Sequence, residues 1–167
     1  MNTKRSCGVL LPLFSLPSEH GIGTLGKAAY DFIDFLAAAG QSWWQLLPVG
    51  PAGSGDSPYN SFSSFAGNAY CIDLDMLVQD GLLTKAEVSA VDWGNDEQSV
   101  DYEKLRAHRM PLLRKAARRG LEKNAEEFDS FCRDNASWLS DYALYMALKE
   151  HFGGASWTEW PEDIRLH

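Results

Sequence analysis

Between Cys7 and Val49 the chain runs apolar stretch, amphipathic helix pattern, apolar stretch, and that order leaves few ways to fold. Cys7 to Leu16 is short and apolar and ends at Pro17, which suits a strand buried on both faces, as in a parallel sheet. Ser18 to Gly23 reads as a turn. Thr24 is placed to cap a helix from about Leu25 to Ala39, with Leu25, Ala29, Phe32, Ile33 and Leu36 on one face and Gly40 just past its end. Ser42 to Val49 is the second apolar run. Strand, helix and strand so closely spaced predict a βαβ unit, whose strands pair in parallel through a right-handed crossover. In such sheets the loop leaving the C-terminal end of a strand faces the ligand. The stretch after Val49 therefore falls at the functional face.

That stretch, Gly53 to Asn68, has neither helical nor alternating pattern. Glycines, serines, asparagines, Asp56 and Pro58 supply turn chemistry and short hydroxyl and amide groups, while Tyr59, Phe62 and Phe65 add aromatic weight. A sugar ring, with its apolar C–H face and its rim of hydroxyls, needs this combination.

Beyond Asp75 the pattern becomes helical. Thr84-Lys-Ala-Glu87 is a capping box opening a helix to about Val91, and Val100 to Tyr102 reads as extended. A pattern from Glu103 to Arg119 contains Pro111, so it is kinked there or begins there with Pro111 in the first turn. Asn124 is placed to cap a helix carrying Phe128, Phe131 and Cys132. Ser137 is placed to open another reaching Phe152, with Gly153-Gly154 as its stop. Trp138, Tyr142 and Tyr145 share helical spacing, which makes them packing residues before a sugar platform, and Trp157 and Trp160 read as pins for a loop.

A formal net charge of −8 argues against nucleic acid and against anionic membrane surfaces, and it fits a neutral substrate. The basic cluster from Arg114 to Arg119 precedes Gly120, where it reads as the last turn of a helix with cations complementing the dipole. The 3 cysteines, Cys7, Cys71 and Cys132, lie far apart and cannot all pair, so a reduced, cytoplasmic setting is the simpler expectation. Lys4-Arg5 before an apolar run imitates a signal peptide, but Pro12 interrupts it and Glu19-His20 follow too soon.

Glycosidic bond cleavage or transfer uses two carboxyl groups, about 5 Å apart in retaining enzymes. Asp31 and Asp34 lie opposite the apolar stripe of the first helix. Asp73 and Asp75 alternate with Ile72 and Leu74 as the outer face of a short extended segment. Asp56 is the acid in the loop, yet Gly-Asp-Ser-Pro is a turn sequence whose carboxylate would bond neighbouring backbone N–H groups. None of these makes a convincing pair. Gly50-Pro-Ala-Gly-Ser-Gly55 lacks the Gly-Lys-Ser/Thr ending of a phosphate loop, and His20, His108, His151 and His167 have no metal-ligand spacing, so they read as surface or helix-end groups.

Several segments together resemble one family. Gly55-Asp-Ser-Pro-Tyr-Asn-Ser-Phe-Ser-Ser-Phe-Ala-Gly-Asn68, Gly8-Val-Leu-Leu-Pro-Leu-Phe-Ser-Leu-Pro17 after Arg5, Gly21-Ile-Gly-Thr-Leu-Gly26, Trp44-Gln-Leu-Leu-Pro48 and Trp157-Thr-Glu-Trp-Pro-Glu162 are similar, in that order, to the 4-α-glucanotransferases, or amylomaltases, of the α-amylase clan. The resemblance implies an α/β fold, the N-terminal part of a (β/α)8 TIM barrel with a mostly helical insertion. Residues 1–81 would hold the first βαβ unit and the loop, 82–155 the insertion, and 156–167 the start of the return to the barrel. A 167-residue chain is too short for a whole barrel of about 250 residues, and its end falls in mid-motif, so a longer enzyme is expected. The implied activity transfers a segment of α-1,4-glucan, as in maltooligosaccharide, starch or glycogen, to the 4-hydroxyl of an acceptor sugar by a retaining double displacement, with no metal or organic cofactor. The catalytic acids would come from later strands. Ser57 and Tyr59 would touch the donor sugar nearest the cleaved bond, and Asp56 would help hold the loop. Ser54 stands where some members carry an aromatic residue of a second glucan groove, and a serine offers no stacking face. The rival expectation is a stand-alone, non-catalytic glucan-binding or scaffold piece.

Overall fold

β1 (Gly8–Leu10) and β2 (Trp43–Gln45) pair in parallel across the helix α1 (Lys27–Ala38), with Gly8 opposite Trp43, Val9 opposite Trp44 and Leu10 opposite Gln45. The structure, a computed structural model, describes residues 5–53, 55–94, 96 and 98–166. The expected α/β order is present, but the strands are shorter than the apolar runs. Pro12 brings no N–H to a ladder, and Leu13–Ser15 tighten into a single 3₁₀ turn. Gly8 is required by the close approach of the pair, because a Cβ there would lie 2.5 Å from the Trp43 carbonyl oxygen. Burial of the strands on both faces is not found. Val9, Leu10 and Trp43 are 37%, 56% and 66% exposed, since two strands and one helix cannot cover both sides of a parallel sheet.

Helix α1 starts at Gly26 rather than at Thr24, whose hydroxyl donates to Asp73 Oδ2 at 2.5 Å. Ala29 and Leu36 are buried as predicted, whereas Leu25 and Ile33 are exposed. Gly40 ends the helix at φ +69°, a conformation that only glycine adopts freely. A first core forms from Leu13, Leu16, Ala29 and Cys71, flanked by Phe32 and Trp44, whose rings meet edge to face at 5.0 Å.

Asp73 and Asp75 do not lie on an extended segment. Asp73 is the N-cap of α2 (Leu74–Gln79), with Oδ1 accepting from Met76 N at 2.9 Å, and Asp75 is in its first turn. A carboxylate there satisfies an otherwise orphaned helix N–H. The Thr84–Glu87 capping box is present and opens α3 (Lys85–Ser89). After the short α4 (Tyr102–Lys104), Leu105–Arg109 form a widened π turn, and α5 (Met110–Lys123) follows with Pro111 in its first turn. The wide turn sits where Pro111 has no N–H for a regular helical bond. Helix α5 passes through Gly120, so the basic cluster is mid-helix. Arg119 donates to the Leu82 carbonyl and to both Glu87 oxygens, and Lys115 pairs with Glu87 at 2.6 Å. A second core joins Leu74, Leu83, Val88, Leu112, Leu113 and Ala116.

These elements belong to one compact unit, 1–123, and residues 124–167 form another. The second unit contains α6 (Ala125–Asp134), α7 (Leu139–His151) and α8 (Glu162–Arg165). Asn124 occupies the N-cap of α6 without a side-chain bond, and α7 begins after Trp138 rather than at Ser137. The Trp138 indole donates to Asn135 Oδ1 at 3.0 Å. Gly153 and Gly154 stop α7 at φ +64° and +84°. Trp160 is buried against Tyr145 and Phe152, with ring centroids at 5.6 and 5.5 Å, while Trp157 is half exposed. Among the described residues no helix is long and apolar enough to cross a membrane.

Candidate functional site

The loop after β2 is closed at its neck by its own backbone. Asn68 N donates to the Val49 carbonyl at 2.8 Å, Gly53 N donates to the Asn60 carbonyl at 2.8 Å, and Ala52 bridges Ser61 in antiparallel fashion. Within this frame the serines serve the loop. Ser63 Oγ accepts from Phe65 N at 3.2 Å and Ala66 N at 3.0 Å, Ser61 Oγ donates to the Ser63 carbonyl at 2.8 Å, and Ser57 Oγ accepts from Tyr59 N at 3.4 Å. These are the side-chain turns that serine offers a backbone lacking helix or strand partners. The closed neck leaves aromatic surface outside. Tyr59, behind the fixed φ of Pro58, is 74% exposed and Phe65 is 72% exposed. Ser54 lies outside the described residues.

Asp56 has a positive φ of +54°. Neighbouring backbone N–H groups were its expected partners, but the carboxylate accepts from Arg106 Nη1, 50 residues away, at 3.0 Å on Oδ1 and 2.9 Å on Oδ2. A charged donor facing both oxygens is a stronger partner than a neutral amide. Tyr70 and Tyr102 stand nearby with ring centroids 6.4 Å apart. Burial pushes both phenols up in pKa; the Arg106 charge opposes the shift at Tyr70, and the Asp56 charge adds to it at both.

The π turn that carries Arg106 is fixed from beneath. Arg109 is fully buried and donates to backbone carbonyls, Nη1 to His20 at 3.2 Å and Nη2 to Ile72 at 2.6 Å and Tyr70 at 3.5 Å. Burial lowers its pKa to about 10, with the Asp73 charge opposing the shift. Nothing in the sequence pattern marks Arg106 or Arg109, because basic residues three apart in a helical stretch read as surface groups. His20, expected at the surface, turns inward with Nε2 3.2 Å from Asp75 Oδ1 and its ring edge-on to Trp93.

The other candidate acids are engaged or outward. Asp31 pairs with Lys27, Asp73 caps α2, Asp75 meets His20, and Asp34 is exposed on α1. Among the described residues no group of three or more His, Cys, Asp or Glu could hold a metal ion. A cleft of about 790 Å³ opens elsewhere in this unit, lined by Phe14 to Glu19, Gly21 to Thr24, Asp73, Asp75 and Asp96 among others, and none of Asp56, Ser57 and Tyr59 faces it. Of its aspartates, Asp73 and Asp75 have the helix-cap and ion-pair roles just described and Asp96 accepts from Gln98 N and Ser99 Oγ, so the loop and not the cleft is the candidate site.

A family model described as 4-alpha-glucanotransferase matches residues 11–167. The 4-alpha-glucanotransferase of Streptococcus pneumoniae serotype 4 is 51% identical over 160 residues, which is 95% of this chain and 32% of that protein. The enzyme of the same name from Thermus thermophilus is 46% identical over 169 residues, 99% of this chain and 33% of that protein. Among solved structures, amylomaltase from Streptococcus agalactiae in complex with acarbose superimposes with a TM-score of 0.90 at 41% identity, covering 95% of this chain and 32% of that one. The chain thus spans about a third of the length of the curated relatives it matches.

Proposed function

Because the chain belongs to the 4-alpha-glucanotransferase family, we propose that it supplies the donor-side sugar-binding face of an enzyme that moves a segment of α-1,4-glucan onto the 4-hydroxyl of an acceptor sugar. The observation that carries this reading is the family match over residues 11–167, which takes in the whole loop. Ser57 and Tyr59 touch the donor sugar nearest the cleaved bond, and Asp56 holds the loop. The exposed ring of Tyr59, set after a parallel strand, supports that assignment. The retaining double displacement needs a nucleophile and an acid/base carboxyl. Both are assigned to the remainder of a longer protein, because Asp31, Asp56, Asp73 and Asp75 have other partners and Asp34 lies outward.

In this reading β1, α1 and β2 are the first βαβ unit of a (β/α)8 barrel within 1–81, with a helical insertion over 82–155 and the return to the barrel from 156. The exposed apolar residues Leu10, Phe35 and Trp43 are what further barrel strands and helices would cover. The acarbose bound in the solved amylomaltase supports an α-glucan as the ligand. Free Cys7, Cys71 and Cys132 suit a cytoplasmic setting.

The test is disproportionation of maltotriose by the intact enzyme that carries this segment. Tyr59→Ala is expected to lower kcat about tenfold and also to weaken binding, as loss of about 1.4 kcal/mol of transition-state contact would do, while Tyr59→Phe, which keeps the ring, does less harm. A folded Tyr59→Ala enzyme with wild-type kcat and KM would show the donor-site assignment to be wrong. The 167-residue chain alone is expected to release no glucose from maltotriose above a no-protein control, and release would overturn the placement of the acids elsewhere.

A further inference from the structure

The geometry points to Arg106 as a positioning residue for the donor-site loop: its guanidinium sets where Ser57 and Tyr59 stand, without touching the sugar. This rests on the donor-site reading of the loop given above. The neck of the loop is held by short backbone bonds, but the tip turns on longer ones, Asp56 N to the Gly53 carbonyl at 3.3 Å and Asn60 N to the Ser57 carbonyl at 3.1 Å. At the tip Asp56 adopts φ +54°, a region that residues with a side chain enter rarely and aspartate more readily than most, and one that a bond from its surroundings can fix. Arg106 is such a hold. Its Nη1 reaches both carboxylate oxygens, and Asp56 is the immediate neighbour of Ser57.

A clamp is useful only if its own base is fixed. Arg106 lies between Leu105, which is 1% exposed, and Arg109, which is bonded to backbone carbonyls of two other segments. The π turn is therefore a rigid post, and movement of the tip relative to it must stretch the Asp56–Arg106 pair. That pair is partly open to solvent, with side chains 52% and 24% exposed, so its strength depends on ionic strength. A packing residue would lack that dependence.

Two measurements test the inference. In the intact enzyme that carries this segment, chymotryptic nicking after Tyr59 reports how often the tip opens. Arg106→Ala is expected to nick about two- to fivefold faster than wild type, the range a partly exposed ion pair supports. Arg106→Lys is expected to stay near wild type, because one nitrogen makes both contacts. Raising NaCl to about 1 M, where the screening length falls to about 3 Å, should speed nicking of the wild type and leave Arg106→Ala unchanged. In the intact enzyme, Arg106→Ala is expected to lower kcat on maltotriose by a similar two- to fivefold with an unchanged melting temperature, and Arg106→Lys to restore it. Equal nicking of wild type and Arg106→Ala, or salt-independent nicking of the wild type, overturns the clamp. Faster nicking with unchanged kcat overturns the positioning role. A wild-type enzyme inert on maltotriose would bring down the functional reading, while the nicking comparison would still decide the clamp. Should Arg106→Ala fail to fold, the salt dependence of the wild type decides.

Discussion

Replacing Arg109 by Met asks whether a fully buried guanidinium stabilises this chain or burdens it. The two contributions oppose each other. Burial lowers the Arg109 pKa from its ordinary value to about 10, and at about 1.4 kcal/mol per unit this corresponds to about 3 kcal/mol against the charged form. A methionine, with similar reach and no charge, removes that cost. It also removes the bonds to the Ile72 carbonyl at 2.6 Å and the His20 carbonyl at 3.2 Å, together with the longer one to Tyr70 at 3.5 Å. Hydrogen bonds from a charged donor contribute about 1.5–3 kcal/mol each, so losing the two shorter ones costs about 3–6 kcal/mol. The difference leaves Arg109→Met less stable by about 1–2 kcal/mol. Arg109 is charged at pH 7, so a urea titration there compares a charged side chain with a neutral one. With a slope of about 1–3 kcal/mol per molar urea, the midpoint should fall by about 0.5–1.5 M at unchanged slope. A midpoint at or above the wild-type value would refute the reasoning. It would mean that the carbonyls are satisfied without the guanidinium and that the buried charge is only a cost.

Two further outcomes follow from the second core and from Glu87. Leu74 is 0% exposed among Leu83, Val88 and Leu112, and Leu74→Ala should cost about 2–5 kcal/mol by urea titration, a loss under about 1 kcal/mol showing that the site collapses around the gap. Arg119, then Lys115 and the Thr84 backbone, hold the Glu87 carboxyl well below its usual value of 4.5. A carboxyl depressed by folding stabilises the fold above its unfolded pKa, and that contribution fades as the pH falls through the folded one. Wild type should therefore lose stability more steeply than Glu87→Gln as the pH drops below about 4.5, and parallel acid profiles would count against the Arg119–Glu87–Lys115 cluster.

The features legible in the sequence are those whose partners lie within a few residues. Thr84 and Glu87 find each other across one helical turn, and Gly40 and Gly153 stop helices through their own backbone conformation. The βαβ order likewise follows from local period and spacing. Thr24 was misread because it chose a distant partner over a near one, leaving its helix for Asp73, 49 residues on. Asp73 was misread although its partner is near, since it caps α2 through Met76 N instead of lying on an extended edge. The strands proved exposed because two strands and one helix cannot cover both faces of a parallel sheet.

Asp56 shows what such a substitution of partners changes. A short carboxylate in Gly-Asp-Ser-Pro competes for nearby N–H groups, and that local bond would have made the loop tip self-sufficient. The Arg106 guanidinium is the stronger partner, and it stands on the π turn before α5 rather than on the loop. The loop is held in either case, but the consequences differ. A tip closed on itself would keep its shape whatever happened to the helices, whereas a tip held by Arg106 inherits the stability of the Leu105–Arg109 turn and of the carbonyl bonds made by Arg109 beneath it. Substitutions such as Arg109→Met, chosen for stability, should therefore also raise nicking after Tyr59. That coupling runs through the backbone between Arg106 and Arg109, and it should exceed the faster nicking caused by an equally destabilising core substitution such as Leu74→Ala.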